Sequence, residues 1–262
     1  MDKTFNELVE IASKAARAAG DIVRAGWGKA HEIHFKGATN LVTEVDRAAE
    51  TSILGQLRAA TPAFDILSEE TGTHGTGARV RWVIDPVDGT TNYAHHFPYF
   101  SVAIGLEKEG ASLVGVVYDP IADQLFSATR GGGAFLNGAR IQCSDAPTIG
   151  ASLIATGLPY DVWESERGIA EIARLFQRAR SIRINGSAAL DICYVACGRL
   201  DAYCDTGLSA WDVSAARLIL TEAGGRFQMY GDAAQVDMQY CIASNGKIHA
   251  ELEKLLVEHS SR

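Results

Sequence analysis

The sequence lacks several features that define whole classes of protein. Its 262 residues include only 6 prolines and no low-complexity tract, so the composition excludes disordered and collagen-like chains. No stretch approaches about 18 consecutive apolar residues, which predicts that no segment spans a membrane. The first residues, Met1 to Phe5, contain no apolar run, so we also expect no secretory signal.

Basic clusters and paired cysteines are also scarce. The chain has 24 Lys and Arg against 32 Asp and Glu, for a net charge of −8. Its densest basic stretch, Arg174 to Arg183, falls on a predicted helix and strand. Because binding a nucleic-acid backbone needs a basic surface, we expect no nucleic-acid partner. The 5 cysteines include no Cys-x-x-Cys pair, so we interpret them as reduced thiols of a cytoplasmic protein.

The remaining composition is that of an ordinary globular protein. Apolar residues make up 47% and charged residues 21% of the chain. A chain of this length buries about 70–75% of its unfolded surface, so it needs neither disulfides nor a structural metal to fold. At roughly 100–200 residues per domain, it forms one large domain or two closely packed lobes.

The pattern of apolar residues predicts a mixed fold. Helical spacing indicates a helix over the first 27 residues and another over 43–60, and short strands separated by turns follow, as in an antiparallel sheet. The strands predicted in this half lie at 33–35, 79–84, 101–107, 113–118, 124–129 and 133–136.

Strands and helices alternate in the last third of the sequence, which favours a second α/β layer set. The helices predicted there span 164–178, 187–197, 210–223 and 247–258. No flexible linker separates the halves. We therefore predict an N-terminal α+β lobe over 1–145, with the antiparallel sheet, packed on a C-terminal α/β lobe over 146–262. Their junction is expected near 140–151.

A strand that ends in two carboxylates carries the strongest chemical signal. In the run 82–93 an apolar strand stops at Asp85, and Asp88 follows three residues later. Pro86 between them fixes one backbone angle and stiffens the turn. Asp85, the carbonyl of Val87 and Asp88 can then converge on an oxygen-preferring cation such as Mg²⁺.

The residues after Asp88 suit a phosphate group. Gly89 lets the backbone approach a ligand closely, and Thr90 adds a hydroxyl. We predict that a short helix begins here, since free N–H groups at a helix start bind phosphate oxygens. An Asp-rich turn with only capping roles is the alternative interpretation.

Two further acidic segments are candidates for the same site. Glu69 and Glu70 end an apolar strand, and because adjacent strand residues face opposite ways, at most one can point into a shared site. The Gly- and Thr-rich segment 71–77 after them is interpreted as a mobile lid or metal-loading flap. Asp212 lies in the first turn of a predicted helix beside Trp211, and a carboxylate in so apolar a setting needs a partner such as a cation.

Together these segments resemble the inositol monophosphatase family, within the wider group of Mg²⁺-dependent, lithium-sensitive sugar phosphatases. The motif around Asp85 fits the family's Asp-Pro-Ile/Leu-Asp-Gly-Thr-x-Asn-Phe/Tyr pattern, with Val87 at the Ile/Leu position. The motifs around Asp212 and Glu69 fit theirs except at Ser214 and Ser68. The resemblance covers nearly the whole chain, and it implies a layered α-β-α-β-α sandwich and a homodimer.

The resemblance also implies a set of metal ligands. Glu69, Asp85 and the Val87 carbonyl would hold one Mg²⁺. Asp85, Asp88 and Asp212 would hold a second, and Glu69 would help a weaker third through water. Converging carboxylates of this kind repel one another unless cations offset their charge.

Roles in the reaction are implied in the same way. Thr90 with Glu69 would polarise the attacking water, Asp46 would orient the Thr90 hydroxyl, and the backbone N–H groups of Gly89 and Thr90 would take phosphate oxygens. The residues implied to bind the substrate are Asp88, Gly186, Ser187, Ala188, Asp205 and Asp212.

The implied activity is hydrolysis of a small polyol or sugar phosphate, with myo-inositol 1-phosphate the first candidate. Inositol-specific members usually carry Glu at the position of Asp205. The shorter side chain keeps histidinol phosphate and fructose 1,6-bisphosphate open as substrates, with 3′,5′-phosphonucleosides less favoured. A catalytically silent binding or regulatory member is the alternative from another class, although such a protein should have lost a ligand carboxylate or Thr90. A purely structural protein would leave the clustered acids unexplained.

Overall fold

The computed structural model describes residues 3–29, 33–35, 41–157, 172–231 and 240–257. Within these ranges, helices and two large sheets alternate in five layers. The mixed, layered fold that the sequence predicts is confirmed. The division into lobes over 1–145 and 146–262 stays a prediction.

Two long helices form the first layer. Helix α1 (Phe5–Gly26) and helix α2 (Glu44–Ala60) pack on each other and on one face of the larger sheet. A capping box begins each helix, and in α2 it joins Thr43 to Asp46. Asp46 is thereby fixed in the first turn of α2.

The larger sheet has eight strands. They are β3 (Asp65–Ser68), β4 (Gly72–His74), β5 (Val80–Asp88), β6 (Ser101–Lys108), β7 (Ala111–Asp119), β8 (Gln124–Thr129), β9 (Gly133–Leu136) and β10 (Ala139–Arg140). Their order is β10-β9-β8-β7-β6-β5-β3-β4, and every pair is antiparallel except β3 with β5. A separate pair, β1 (Ile33–Phe35) and β2 (Leu41–Thr43), precedes α2.

Strand β5 differs from its prediction. It continues to Asp88 instead of ending at Ile84, and its register against β6 shifts between Asp85 and Asp88. The sequence suggested an earlier end because the apolar run stops at the carboxylates and Pro86 stiffens a turn there, but proline is tolerated where a sheet is irregular. The irregularity falls on the two carboxylates that the metal motif singled out.

The segment 71–77, expected to be a mobile loop, is partly strand. Gly72–His74 is β4, which pairs with β3. Beyond it the carboxylate of Asp65 accepts backbone N–H groups from Thr76, Gly77 and Ala78 at 3.0, 2.8 and 2.6 Å. The sequence pattern did not predict these hydrogen bonds, because their acceptor, Asp65, lies outside the segment of turn residues.

The second half of the chain forms the helices between the two sheets, the smaller sheet and the last helical layer. Its strands are β11 (Leu153–Thr156), β12 (Ser181–Arg183), β13 (Ala202–Thr206), β14 (Arg226–Tyr230) and β15 (Tyr240–Ser244), in the order β12-β11-β13-β15-β14. Strand β11 runs parallel to β12 and β13, whereas β15 is antiparallel to its neighbours. A 3₁₀ turn over Ile149–Ala151 leads into this sheet.

The shorter helices complete the layers. They are α3 (Thr90–Ala94), α4 (described over 172–176), α5 (Ala188–Ala196), α6 (Ala210–Glu222) and α7 (His249–Leu256). Helices α5 and α6 pack on each other between the two sheets, and α7 packs on β15. The start of the helix predicted over 164–178 lies outside the described residues.

Two sequence expectations about the whole chain can be compared with the structure. All five cysteines are free thiols, as expected. In the described ranges, no helix combines the length and the apolar character that crossing a membrane requires.

Candidate active site

A cavity of about 470 Å³ brings the motif residues together. The predicted residues that line it are Glu69, Asp85, Val87, Asp88, Gly89, Thr90, Gly186, Ser187, Ala188, Asp205 and Asp212. Asp46 is fully buried behind Thr90 instead of lining the cavity. Glu69 lines the cavity and Glu70 does not, in agreement with the expectation that only one of the two could do so. No Lys, Arg or His lies among the described lining residues.

Asp85 lies at the irregularity of β5 and is almost completely buried. One carboxylate oxygen accepts the backbone N–H of Val87 at 3.0 Å. Burial raises the pKa of Asp85 well above its usual value, and the negative charges of Glu69, Asp88 and Asp212 raise it further. The four acidic groups therefore lie close enough to influence one another's ionisation.

Asp212 lies in the first turn of helix α6. Its Oδ2 accepts the backbone N–H of Ser209 at 2.6 Å, which fixes the side chain at the helix start. Burial raises its pKa well above the usual range, with a further contribution from Asp88. The same carboxylate thus caps a helix and faces the cavity.

Asp88 joins the two halves of the molecule. Its Oδ1 accepts the N–H of Ala188 at 3.2 Å, and its Oδ2 accepts that of Ala189 at 2.9 Å. The hydroxyls of Ser187 and Ser101 also donate to Oδ2. Burial raises the pKa of Asp88 to about 6, against the opposing effect of these donors. A side chain of the larger sheet therefore caps helix α5.

The donor set fits divalent cations. Buried carboxylates with no cationic side chain in the lining require a positive partner, and oxygen ligands are those that Mg²⁺ prefers. In the part of the chain that the structure describes, no three His, Cys, Asp or Glu side chains are grouped closely enough to hold one ion as they stand. Asp88 accepts backbone N–H groups through both carboxylate oxygens, and Asp212 accepts one through Oδ2.

Thr90 lies where β5 gives way to α3. Its hydroxyl is 3.0 Å from Asp46 Oδ1 and 2.9 Å from the Val87 carbonyl oxygen. Gly89 before it has φ +97°, and a Cβ there would lie 3.1 Å from the carbonyl oxygen of Gly186. Only glycine combines that backbone angle with so close an approach, so the chain reaches the helix start without blocking the cavity.

Asp205 also lines the cavity. Its Oδ2 accepts the hydroxyl of Tyr203 at 2.6 Å, and its Oδ1 accepts the N–H of Thr206 at 2.7 Å. A Cβ at Gly157 would lie only 1.9 Å from Asp205 Oδ2, so any other residue at 157 would displace the carboxylate. The carboxylate is therefore held by two hydrogen bonds where it lines the cavity.

Sequence reasoning missed Asp191, a cavity-lining residue of α5. Its Oδ1 accepts the hydroxyl of Tyr99 at 2.7 Å and the side-chain amide of Asn185 at 2.6 Å. Its Oδ2 has no hydrogen-bond partner among the described residues. Burial raises the pKa of Asp191 to about 7. One signal was present in the sequence, because Asp191 is the single charged residue in the apolar run 188–196.

Comparison with known proteins assigns the family. The model of the inositol monophosphatase family matches residues 5–261. The chain therefore belongs to the inositol monophosphatase family, a group of phosphatases, as the motifs indicated.

Individual relatives carry different names. An inositol-1-monophosphatase of Synechocystis is 42% identical over 253 residues, 95% of this chain and 88% of that protein. A protein of Salmonella typhimurium named Nus factor SuhB is 43% identical over 225 residues, 84% of each chain. The crystal structure of the extragenic suppressor protein suhB from Bartonella henselae has a TM-score of 0.90 and 35% identity, covering 96% of this chain and 99% of that one.

Proposed function

We propose that this protein is a Mg²⁺-dependent phosphomonoesterase that hydrolyses a small polyol or sugar phosphate, with myo-inositol 1-phosphate as the first candidate. The observation that carries the proposal is the cavity that Glu69, Asp85, Asp88 and Asp212 line together with Asp205 and Thr90. A cavity whose charged lining residues are all acidic repels a phosphate ester unless cations are present, so the arrangement makes chemical sense as a metal-assisted site.

The residues proposed to hold the ions are acidic residues of the cavity lining and the Val87 carbonyl. Glu69, Asp85 and the Val87 carbonyl would hold one Mg²⁺, Asp85, Asp88 and Asp212 a second, and Glu69 would help a third through water. When bound, the ions supply charge neutralisation of the phosphate dianion and stabilise the departing alkoxide.

The chain's own residues position the water and the phosphate. Thr90 and Glu69 are proposed to orient the attacking water, with Asp46 holding the Thr90 hydroxyl. The N–H groups of Gly89 and Thr90 are proposed to receive phosphate oxygens, because they lie at the start of α3 and line the cavity.

The alcohol half of the substrate is proposed to bind beside Asp205. Asp205 can accept a hydrogen bond from a ring hydroxyl, while Gly186, Ser187 and Ala188 would contact the alcohol where α5 begins. Histidinol phosphate and fructose 1,6-bisphosphate are the alternative substrates, since Asp205 is shorter than the Glu of inositol-specific members.

A regulatory role is the second candidate, favoured by the relative named as a Nus factor. Such a role does not require loss of catalysis, and Glu69, Asp85, Asp88, Thr90 and Asp212 are all retained. We therefore place phosphatase activity first. A homodimer and a cytoplasmic location are proposed from the family resemblance, and the five free thiols suit a reducing compartment.

The test is phosphate release from a panel of phosphomonoesters at saturating Mg²⁺. The panel contains myo-inositol 1-phosphate, histidinol phosphate, fructose 1,6-bisphosphate and a 3′,5′-phosphonucleoside. We expect the highest kcat/KM with inositol 1-phosphate. A higher kcat/KM with another ester would identify that ester as the preferred substrate. Phosphate release from none of them would contradict the proposal.

A further inference from the structure

Helix α2 buries two carboxylates one turn apart. Asp46 and Glu50 are 0% and 1% exposed, and positions four apart share one face of a helix. Asp46 contacts Thr90, whereas neither the motifs nor the family resemblance gives Glu50 a role. A buried glutamate without partners costs several kcal/mol, roughly 2–7 for even an uncharged polar group, so its contacts identify what it stabilises.

Glu50 finds its partners in the turn after Glu69. Its Oε1 accepts the backbone N–H of Thr71 at 3.2 Å and the Thr71 hydroxyl at 2.7 Å. On the other side, the N–H of Glu69 donates to the Ile84 carbonyl oxygen of β5 at 3.2 Å. The backbone that carries Glu69 is therefore tied to the sheet before it and to α2 after it.

We propose that Glu50 is a positioning residue that fixes Glu69, so that α2 sets the spacing between Glu69 and Thr90. The inference rests on the proposed phosphatase function. Asp46 holds Thr90 and Glu50 holds the Glu69 turn, and the two attachment points are separated by about 6 Å of rigid helix, at 1.5 Å per residue. Groups that must orient one water together need such a common frame, because a displacement of about 1 Å can cost roughly 100-fold in rate.

A second anchor of the same segment provides a matched control. Asp65 is also a buried carboxylate, and it holds Thr76, Gly77 and Ala78 at the far end of the segment by three backbone hydrogen bonds. Its loss loosens the segment without releasing Thr71. A purely structural role for Glu50 predicts the same kinetic consequence from either anchor.

The test uses paired substitutions in the full chain. Glu50→Met removes the acceptor at similar volume, and Glu50→Gln keeps an oxygen that can accept both bonds. Thr71→Val removes the hydroxyl, and Thr71→Ser restores it. Asp65→Leu removes the control anchor. Each variant is measured for kcat and KM with the best phosphate ester, for Mg²⁺ affinity by calorimetry without substrate, for amide exchange over 69–71, and for Tm.

We expect Glu50→Met and Thr71→Val to lower kcat by about 10- to 100-fold with KM within about threefold, to weaken Mg²⁺ binding, and to speed amide exchange at Glu69 and Thr71. Glu50→Gln and Thr71→Ser should stay near the wild type. Asp65→Leu should lower Tm with kcat kept within about threefold. If Glu50→Met does not fold, Thr71→Val carries the comparison.

Two results would overturn the inference: unchanged kcat and Mg²⁺ affinity in Thr71→Val, or an equal loss of kcat in Asp65→Leu. A wild-type protein that releases no phosphate from any ester contradicts the proposed function instead, and is recognised before any variant is made.

Discussion

The hydroxyl of Thr90 lies 3.0 Å from the carboxylate of Asp46, although the two residues are 44 positions apart in the chain. It also lies 2.9 Å from the Val87 carbonyl oxygen. Because a hydroxyl has one hydrogen, both acceptors compete for it, and the lone pairs of the Thr90 oxygen are left to accept a bond from water. Asp46 thus fixes the direction from which the Thr90 oxygen accepts a hydrogen bond from water.

This geometry predicts that Thr90→Ala lowers kcat far more than it weakens Mg²⁺ binding. Removing a group that orients the nucleophile should cost about 10²- to 10⁴-fold in rate. Thr90→Ser, which keeps the hydroxyl, is the matched control. Steady-state kinetics and calorimetric Mg²⁺ titration check it, and normal kcat at high Mg²⁺ in Thr90→Ala would refute the assigned role.

Asp212→Asn should leave the fold intact and nearly abolish turnover. Asparagine keeps an oxygen for the Ser209 N–H, which lies 2.6 Å from Asp212 Oδ2, so the start of α6 stays capped. The lost negative charge weakens the proposed second Mg²⁺ site and the stabilisation of the leaving alkoxide. Circular dichroism checks the fold and phosphate release checks turnover. Wild-type kcat at saturating Mg²⁺ would show that Asp212 is not a ligand.

Asp205→Glu should narrow the substrate range towards inositol 1-phosphate. The Asp205 carboxylate lies against Gly157, where a Cβ would come within 1.9 Å of Oδ2. The longer side chain of glutamate therefore has to move its carboxylate from that position, and we expect it to reach further into the cavity towards the substrate. A ring hydroxyl that gains or loses this hydrogen bond changes binding by about 1–3 kcal/mol. The panel of esters measures relative kcat/KM, with Mg²⁺ dependence expected to stay unchanged. Identical ratios before and after the substitution would leave Asp205 without a role in specificity.

Asp191→Asn should change how stability depends on pH. Burial raises the pKa of Asp191 from 3.8 to about 7, so ionisation opposes folding and stability is lost as the pH rises between these values. The penalty is roughly 4 kcal/mol at most. In EDTA, the variant should therefore gain stability relative to the wild type between pH 5 and pH 8. Urea unfolding measures this difference, and the same difference at both pH values would contradict the shifted pKa.

The sequence predicted the residues that line the cavity better than it predicted the residues that hold them in place. Asp85, Asp88 and Asp212 were recognisable because each departs from a run of apolar residues. Glu50 was hidden on α2, where charged residues on a helix are usually solvated, and only the fold shows that Thr71 lies against it. Contacts between residues far apart in the chain leave no local pattern to read.

The end of strand β5 could not be predicted from the local sequence either. Pro86 and the polar residues after Ile84 indicated a turn, whereas pairing with β6 carries the strand on to Asp88. Tertiary pairing overrode the local preference. The helix start at Thr90 was predictable because glycine and threonine mark it locally.

The measurement that tests the central claim most directly is phosphate release from inositol 1-phosphate as Mg²⁺ is varied, in the wild type and in Asp85→Asn. Asp85 is proposed to contact both principal ions, so its charge matters more than that of any other ligand. The account predicts no release in EDTA, saturable activation of the wild type by Mg²⁺, and activation of Asp85→Asn only at much higher Mg²⁺ with a greatly reduced kcat. Release by the wild type in EDTA, or equal activation curves for the two proteins, would contradict it.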